Sequence, residues 1–390
     1  MTTTAPTREA TAATDPVAGP SVPGGRLVSL DAFRGLTIAA MLLVNDPGSW
    51  SYVYGPLRHA EWHGWTPTDL IFPFFLFIVG VAMTFSFGKR RREGKDRWAL
   101  LRKAARRALV LFALGLLIHA FPWYDVDLAT LRIPGVLQRI AVAYLAASAI
   151  VLFTGLRGQI VAAAALLLGY WALLALVPVP GGVAGDLTPD GNLAAWLDRT
   201  ILGTDHLWSQ SRTWDPEGIL STLPAVATVL SGVFTGRWLR SGRSGGAVTV
   251  GLLAAGVAAV AVGMLWGLFF PINKNLWTSS YTVFTSGMAL LLLGLCYWVI
   301  DVRGLKRWAT PFVVFGVNAI AAYFLSALFA RVIGMIDVGG GVTLKEWAYR
   351  HLFASWAGPL NGSLAFAVAF VLLWLGFMWP LYRRRIYIKV

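Results

Sequence analysis

The chain has 390 residues, of which 57% are hydrophobic and only 13% charged, with a formal net charge of +14. That leaves too little polar surface to cover the apolar mass, which excludes a soluble globular domain and points to a polytopic membrane protein. The single cysteine, Cys296, excludes an intrachain disulfide, and with no soluble basic domain to present it the positive charge reads as membrane orientation and lipid-headgroup contact, with no nucleic-acid partner.

Residues 1–25, rich in Thr, Ala and Pro, lack the apolar run of a cleavable signal peptide and are expected to be a disordered tail ahead of one membrane domain, 26–390. From there, apolar segments of bilayer-crossing length recur about ten times. They lie near 30–45, 69–88, 103–121, 132–154, 158–178, 218–238, 247–270, 278–300, 309–334 and 363–382. Lys and Arg concentrate in GKRRREGKDRW with the following RKAARR, in GLRG, RWLRSGR and DVRGLKR, and in the terminal RRRIYIK. These fall on alternate connections, so the positive-inside rule predicts an all-α bundle of about ten transmembrane helices with both termini cytoplasmic. Segments 46–68, 122–131, 179–217, 271–277 and 335–362 then face outward and hold four of the five histidines, while His119 lies just inside the outer end of the third span. No internal repeat is visible, which weighs against a transporter built from inverted repeats.

The densest chemistry is RHAEWHGWTPTDLIFPFFLFIVG, 58–80, where His59, Trp62 and His63 run into a span that opens on Asp69. Ionisable groups at a membrane boundary are costly unless solvated or paired, so their clustering marks a site. Asp69 also suits an N-cap of span two. His59 and His63 have a spacing that would share a helix face, but no third ligand lies nearby and no metal is expected. Trp62 and Trp65 fit interfacial anchoring, with sugar stacking as the alternative. In span four, Gln138 and Arg139 interrupt RIPGVLQRIAVAYL, so Arg139 faces the bundle interior, either pairing with a carboxylate such as Asp69, Asp125 or Asp127 or contacting a ligand. Asp215 and Glu217 in DPEGILSTLP suit the first turn of span six and also lie on the outer side, as does His206 in GTDHLW. PINKNLW puts Asn273 and Lys274 at the outer edge between spans seven and eight, and Asn318 and Tyr323 lie within the ninth, where interhelical hydrogen bonding accounts for both.

Taken together, LVSLDAFRGLTIAAMLLVN, HAEWHGWTPTDLIFPFFLFIVG, LRIPGVLQRIAVAYL, GTDHLW with DPEGILSTLP, PINKNLWTSSY and FGVNAIAAYF closely resemble the heparan-α-glucosaminide N-acetyltransferase family of transmembrane acetyltransferases, in the family's order from Arg26 to about Tyr323. The resemblance implies transfer of the acetyl group of acetyl-CoA across a membrane to the amine of a glucosamine. It matches the family's essential histidine to His59 and an acetyl-CoA-site asparagine to Asn45. It also makes the PINKNLW residues a wall of the active-site cavity. The chain departs in having HAEWHGWT where the animal type has HASWNGLT, which adds Glu61 and His63 beside the site, and a short tail where the animal lysosomal enzyme carries a luminal domain.

Acetyl transfer from a thioester to an amine needs a neutral nucleophile, removal of its proton and stabilisation of an oxyanion. His59 serves as general base or takes the acetyl group itself, Asp69 orients it, and the Asn45 amide donates to the thioester carbonyl. Gln138, Arg139 and Asn318 are donor-binding candidates alongside Asn45; Asp215, Glu217, His206, Asn273, Lys274 and Trp62 are acceptor-binding candidates. The expected co-substrate is acetyl-CoA, with its nucleotide at the cytoplasmic mouth, and the expected partners are an amino-sugar acceptor, the lipid bilayer and a second copy in a homodimer. The expected location is a bacterial inner membrane. A transporter of amino sugars or organic anions, and an O-acyltransferase of exported glycans, are the rival readings.

Overall fold

The computed structural model describes residues 27–92, 94 and 96–388, of residues 89–92 the backbone alone. The expected tail, 1–25, and the last two residues lie outside the described residues. Among the described residues, the only strand-like feature is one antiparallel bridge between Asp337 and Thr343. The rest is helix and loop: α1 (Val28–Asn45), a 3-10 turn (Pro67–Leu70) leading into α2 (Ile71–Arg92), α3 (Arg97–His119), α4 (Val136–Phe153), α5 (Leu156–Leu176), α6 (Leu193–Leu202), α7 (Thr222–Leu239), α8 (Gly245–Trp266), α9 (Ser279–Cys296), α10 (Thr310–Val317), α11 (Ala319–Met335), α12 (Leu344–Ala348) and α13 (Ser355–Arg383).

Every predicted apolar segment of the ten falls on a helix, but not every one of those helices is long and apolar enough to be counted as a span. Seven helices among the described residues are long and apolar enough to cross a membrane, or eight if α10 and α11, bent by 72° at their junction, form one span. Arg102, Lys103, Arg106 and Arg107 take α3 outside that class, and α7 is diluted by Thr, Ser, Pro and Arg237. Two short helices, α6 and α12, occupy connections that the apolar pattern left blank. Side-chain caps explain several starts: Asp96 accepts from the N–H groups of Trp98 and Ala99, Asn192 from Ala195, and Thr278 from Tyr281.

Helices pair at backbone contact where glycines face each other. A Cβ on Gly35 of α1 would strike the Phe312 carbonyl of α10, and one on Gly316 would strike the Asp31 carbonyl. Gly80 of α2 and Gly232 of α7 stand in the same relation to Val229 and Phe77. In lipid, where apolar burial gives helices no preference for each other over acyl chains, such close approach supplies the dispersion contacts that hold them. The α10–α11 break falls at Asn318, whose Nδ2 donates to the Ile386 carbonyl (3.0 Å) and whose Oδ1 accepts from the Ile388 N–H (2.9 Å).

The segments expected to face outward gather in one layer over one end of the bundle. Trp62 Nε1 donates to the Leu187 carbonyl at 2.8 Å, Gly64 N–H to Ile272 at 2.7 Å, Ile133 N–H to His206 at 3.0 Å, and Gly48 N–H to Ser363 at 3.2 Å. Residues far apart in the chain are thereby held side by side.

Candidate functional site

Thr66, in extended conformation, caps the 3-10 turn that opens α2, and Asp69 at the third position of that turn closes a reciprocal capping box. Asp69 Oδ2 accepts from the N–H groups of Ala60 and Thr66, both at 3.0 Å, and lies 3.1 Å from Thr66 Oγ1. The Tyr281 hydroxyl donates to the Asp69 carbonyl from α9. Capping and chemistry therefore coincide in one side chain, because the second oxygen, Oδ1, faces His59 Nδ1 at 2.6 Å. A carboxylate only accepts, so Nδ1 carries the ring hydrogen and Nε2 keeps its lone pair. Asp69 is 1% exposed and the His59 side chain 48%, so a buried carboxylate fixes the orientation of a ring whose other edge is open.

Lys274 completes this group. Its Nζ lies 3.2 Å from His59 Nδ1, 3.3 Å from Nε2 and 3.9 Å from Asp69 Oδ1, with its side chain 16% exposed. Burial lowers its pKa against the opposing pull of Asp69. The turn that presents it is fixed by fully buried Asn273, whose Oδ1 accepts from Leu276 N–H at 2.8 Å and whose Nδ2 donates to His63 Nδ1 at 3.3 Å. Burial also lowers the pKa of His63, in keeping with a neutral, accepting ring. Residues 58–65 are not helical, so the two histidines do not share a helix face. Among the described residues no three His, Cys, Asp or Glu side chains converge to hold a metal.

Asn45 lines a different space, a cavity of about 340 Å³ between the ends of α1, α3 and α11 and the start of α4, together with Asp46, His119, Arg132, Tyr323 and Arg331. Burial pushes the Asp46 carboxyl up to about 7. A hydrophobic cluster of Met41, Val44 and Ile71 with Leu57 and Tyr323 joins that cavity wall to the loop and helix start that carry His59 and Asp69.

The acidic candidates are already engaged. Arg132 donates from Nε and Nη2 to Asp215 (2.8 and 2.7 Å) and from Nη2 to Glu217 (2.7 Å). This bidentate clamp holds 215–217 in a loop, and the helix expected to open at 218 starts at Thr222 instead. His206 Nδ1 donates to the Leu131 carbonyl at 2.7 Å. Arg139 does not pair with Asp69, Asp125 or Asp127. It donates from Nη2 to the Gly218 carbonyl (2.9 Å) and Ser221 Oγ and lies over the Trp277 ring, with Nε and Nη1 unpartnered. Gln138 Oε1 beside it also lacks a partner. Asn318 gives both amide ends to the C-terminal segment rather than to a neighbouring transmembrane helix. Trp62 stands edge-on to Trp214 at 5.0 Å between ring centroids, and Trp214 to Trp208 at 5.5 Å.

Arg132 escaped the sequence reading, although a lone cation in the connection opposite an Asp–Pro–Glu triplet was the available signal.

The sequence model of the family described as heparan-alpha-glucosaminide N-acetyltransferase, catalytic, matches residues 26–263, which include His59, Asp69 and Asn45. The chain belongs to that family. It is 33% identical over 354 residues to the human protein named heparan-alpha-glucosaminide N-acetyltransferase, covering 76% of this chain and 52% of that one. The mouse protein of the same name is 30% identical over 351 residues, covering 76% of this chain and 53% of its own length. The chain thus spans about half the length of these relatives. Within the heparan-alpha-glucosaminide N-acetyltransferase family, the His59 loop, the Asn45 helix end and the Arg132 clamp all lie inside the matched catalytic region.

Proposed function

We propose that this protein is a transmembrane N-acetyltransferase that moves the acetyl group of cytoplasmic acetyl-CoA onto the amine of a glucosamine-type sugar at the opposite face of a bacterial inner membrane. The carrying observation is the His59–Asp69 pair: a buried, doubly capped carboxylate 2.6 Å from an imidazole whose other nitrogen is open. In this reading His59 Nε2 takes the proton of the attacking amine, and Asp69 holds the tautomer and stabilises the imidazolium that forms. The Asn45 cavity receives the thioester end of the donor, where the Asn45 amide donates to the carbonyl. The unpartnered Arg139 N–H groups and Gln138 carbonyl support a polar contact to the pantetheine arm. A donor contact at Asn318 requires the C-terminal segment to leave it. Asp215 and Glu217 shape the acceptor side through Arg132, and Trp62 and Asn273 line it.

The test is vectorial. Vesicles of known protein orientation carry radiolabelled acetyl-CoA on the side of the Arg90–Arg92 connection and a membrane-impermeant glucosamine conjugate on the other. Product is expected only in that arrangement. Product with both reactants on the Arg90 side and none across the bilayer overturns the transmembrane reading. Absence of acetyl-CoA consumption favours a transporter, and consumption indifferent to the amine favours O-acylation.

A further inference from the structure

We propose that Lys274 is the third catalytic group of this site, its ammonium supplying the positive charge that stabilises the oxyanion formed when an amine attacks the thioester. The proposal rests on the acetyl-transfer reading above and assigns the charge that His59 and Asp69 do not provide.

Geometry carries it. Nζ is almost equidistant from the two imidazole nitrogens, at 3.2 and 3.3 Å. A point equidistant from both nitrogens does not lie on the in-plane lone pair of Nε2, and in the ring plane at that range it would overlap Cε1. The ammonium therefore sits over the face of the ring and leaves the Nε2 lone pair free for the acceptor. An acceptor nitrogen within hydrogen-bonding reach of Nε2 places the carbonyl it attacks within about one further bonded contact. The Lys274 ammonium is then next to the reacting oxygen.

A lysine at a helix boundary ordinarily runs its head group out to water. Here it turns inward, to an imidazole and a carboxylate 3.9 Å away. The turn behind it is strained to hold that direction: Trp277 has φ +51°, in the left-handed region that a bulky residue rarely adopts, while its ring is fully buried and its Nε1 donates to Thr228 Oγ1 at 3.2 Å. Trp277 N–H closes the turn on the Lys274 carbonyl at 3.0 Å, and Gly64 N–H on Ile272 ties the turn to the His59 loop.

The step balances as follows. The amine nitrogen bonds to the acetyl carbon, the carbonyl electron pair moves to oxygen beside the ammonium, and the amine proton passes to Nε2. Collapse of the oxyanion breaks the C–S bond, and the proton moves from His59 to the departing thiolate. Lys274 gains and loses no proton in this sequence, and the Asp69 carboxylate, 3.9 Å from its Nζ and 2.6 Å from the ring, offsets the charge that His59 takes up.

Lys274→Met, Lys274→Arg and Lys274→Cys are to be compared in full-length purified protein, measuring kcat with an amine acceptor and, separately, Kd for acetyl-CoA. Removing one oxyanion donor typically lowers kcat by about 10² to 10³. That loss is expected for Met and Cys, with Kd within about threefold of wild type and a smaller loss for Arg. Aminoethylation of the introduced thiol restores an amine at the same reach. It is expected to recover most of kcat, while the same treatment of wild type, whose Cys296 is buried, changes nothing. The Cys variant before and after treatment is one folded protein, so the comparison stands even if Met misfolds. A Met variant within about threefold of wild-type kcat, or no recovery on aminoethylation of a variant that binds donor, overturns the role of Lys274 and leaves the acetyltransferase reading intact. No acetyl transfer by wild type overturns both.

Discussion

Replacing Asp69 by asparagine leaves side-chain volume nearly unchanged and asks whether the carboxylate sets the His59 tautomer. An asparagine has one oxygen, and the two main-chain N–H groups of Ala60 and Thr66, each 3.0 Å from Oδ2, claim it. The amide NH₂ then lands where Oδ1 was, 2.6 Å from His59 Nδ1, and points a hydrogen at it. Nδ1 must accept, the ring hydrogen moves to Nε2, and the base is blocked. The same exchange in hydrolytic triads lowers kcat by about 10⁴, or about 5.4 kcal/mol at 1.36 kcal/mol per tenfold. Stability falls far less, because both main-chain donors keep a partner and each bond only loses its charge, about 1 kcal/mol apiece. Asp69→Ala removes both partners and costs about 2–6 kcal/mol in addition to the chemistry. The assay is acetyl transfer from radiolabelled acetyl-CoA to glucosamine, run beside thermal unfolding in detergent. A kcat for Asp69→Asn within tenfold of wild type, or losses that only follow the folded fraction of each variant, would refute the tautomer argument.

Gly35→Ala drives a methyl into the Phe312 carbonyl and is expected to cost about 3 kcal/mol or more, read as a lowered Tm, while Gly169→Ala, with open space around its Cβ, leaves Tm unchanged or slightly raised. Arg132→Met strands Asp215 (side chain 0% exposed) and Glu217 (7%) and is expected to lose about 3–5 kcal/mol, of which adding Asp215→Asn recovers part in a double-mutant cycle. Asp198, buried in α6, has its carboxyl raised by burial from 3.8 to about 7. The folded state therefore keeps a proton that the unfolded chain releases, and the stability this gives is full below about pH 4 and lost as pH rises toward about 7. Asp198→Asn is expected to unfold at a higher temperature than wild type at about pH 8, with the difference vanishing near about pH 4.

The parts legible in the sequence were those with local causes. Long apolar runs mark helices because each helix satisfies its own backbone, and Asp69 marks the start of α2, although Thr66 takes the N-cap position expected of Asp69, which sits three residues later as its capping-box partner. The motif around His59 placed the histidine and the carboxylate ten residues apart, close enough for one turn to bring them together. What escaped depends on chain crossings. Lys274 was legible as an acceptor-side candidate but not as a neighbour of His59, 215 positions away, which it meets where Gly64 pairs with Ile272 and Asn273 with His63. The Arg132 clamp on Asp215 and Glu217 spans more than 80 residues, and it gives two carboxylates that the charge pattern placed on the outer side a partner that no local motif announces. The partners of Arg139 proved to be a carbonyl, a hydroxyl and a ring, a choice that no charge count can make. The bend at Asn318 leaves no trace in hydropathy, since both arms are apolar.

Two pairs of helices, α1 with α10 and α2 with α7, touch backbone to backbone through Gly35, Gly316, Gly80 and Gly232. At the glycine crossings themselves no side chain stands between the backbones to slide or repack, so each pair resists relative movement as a stiff plank would, and the seams between planks are the softer joints. The cavity at Asn45 opens on such a seam: one wall belongs to the α1 plank, while the others come from α3, α4 and α11. Because α11 packs on α1 as well as meeting α10 at the Asn318 bend, the angle of that bend sets the width of the cavity, and two hydrogen bonds to residues 386 and 388 hold it.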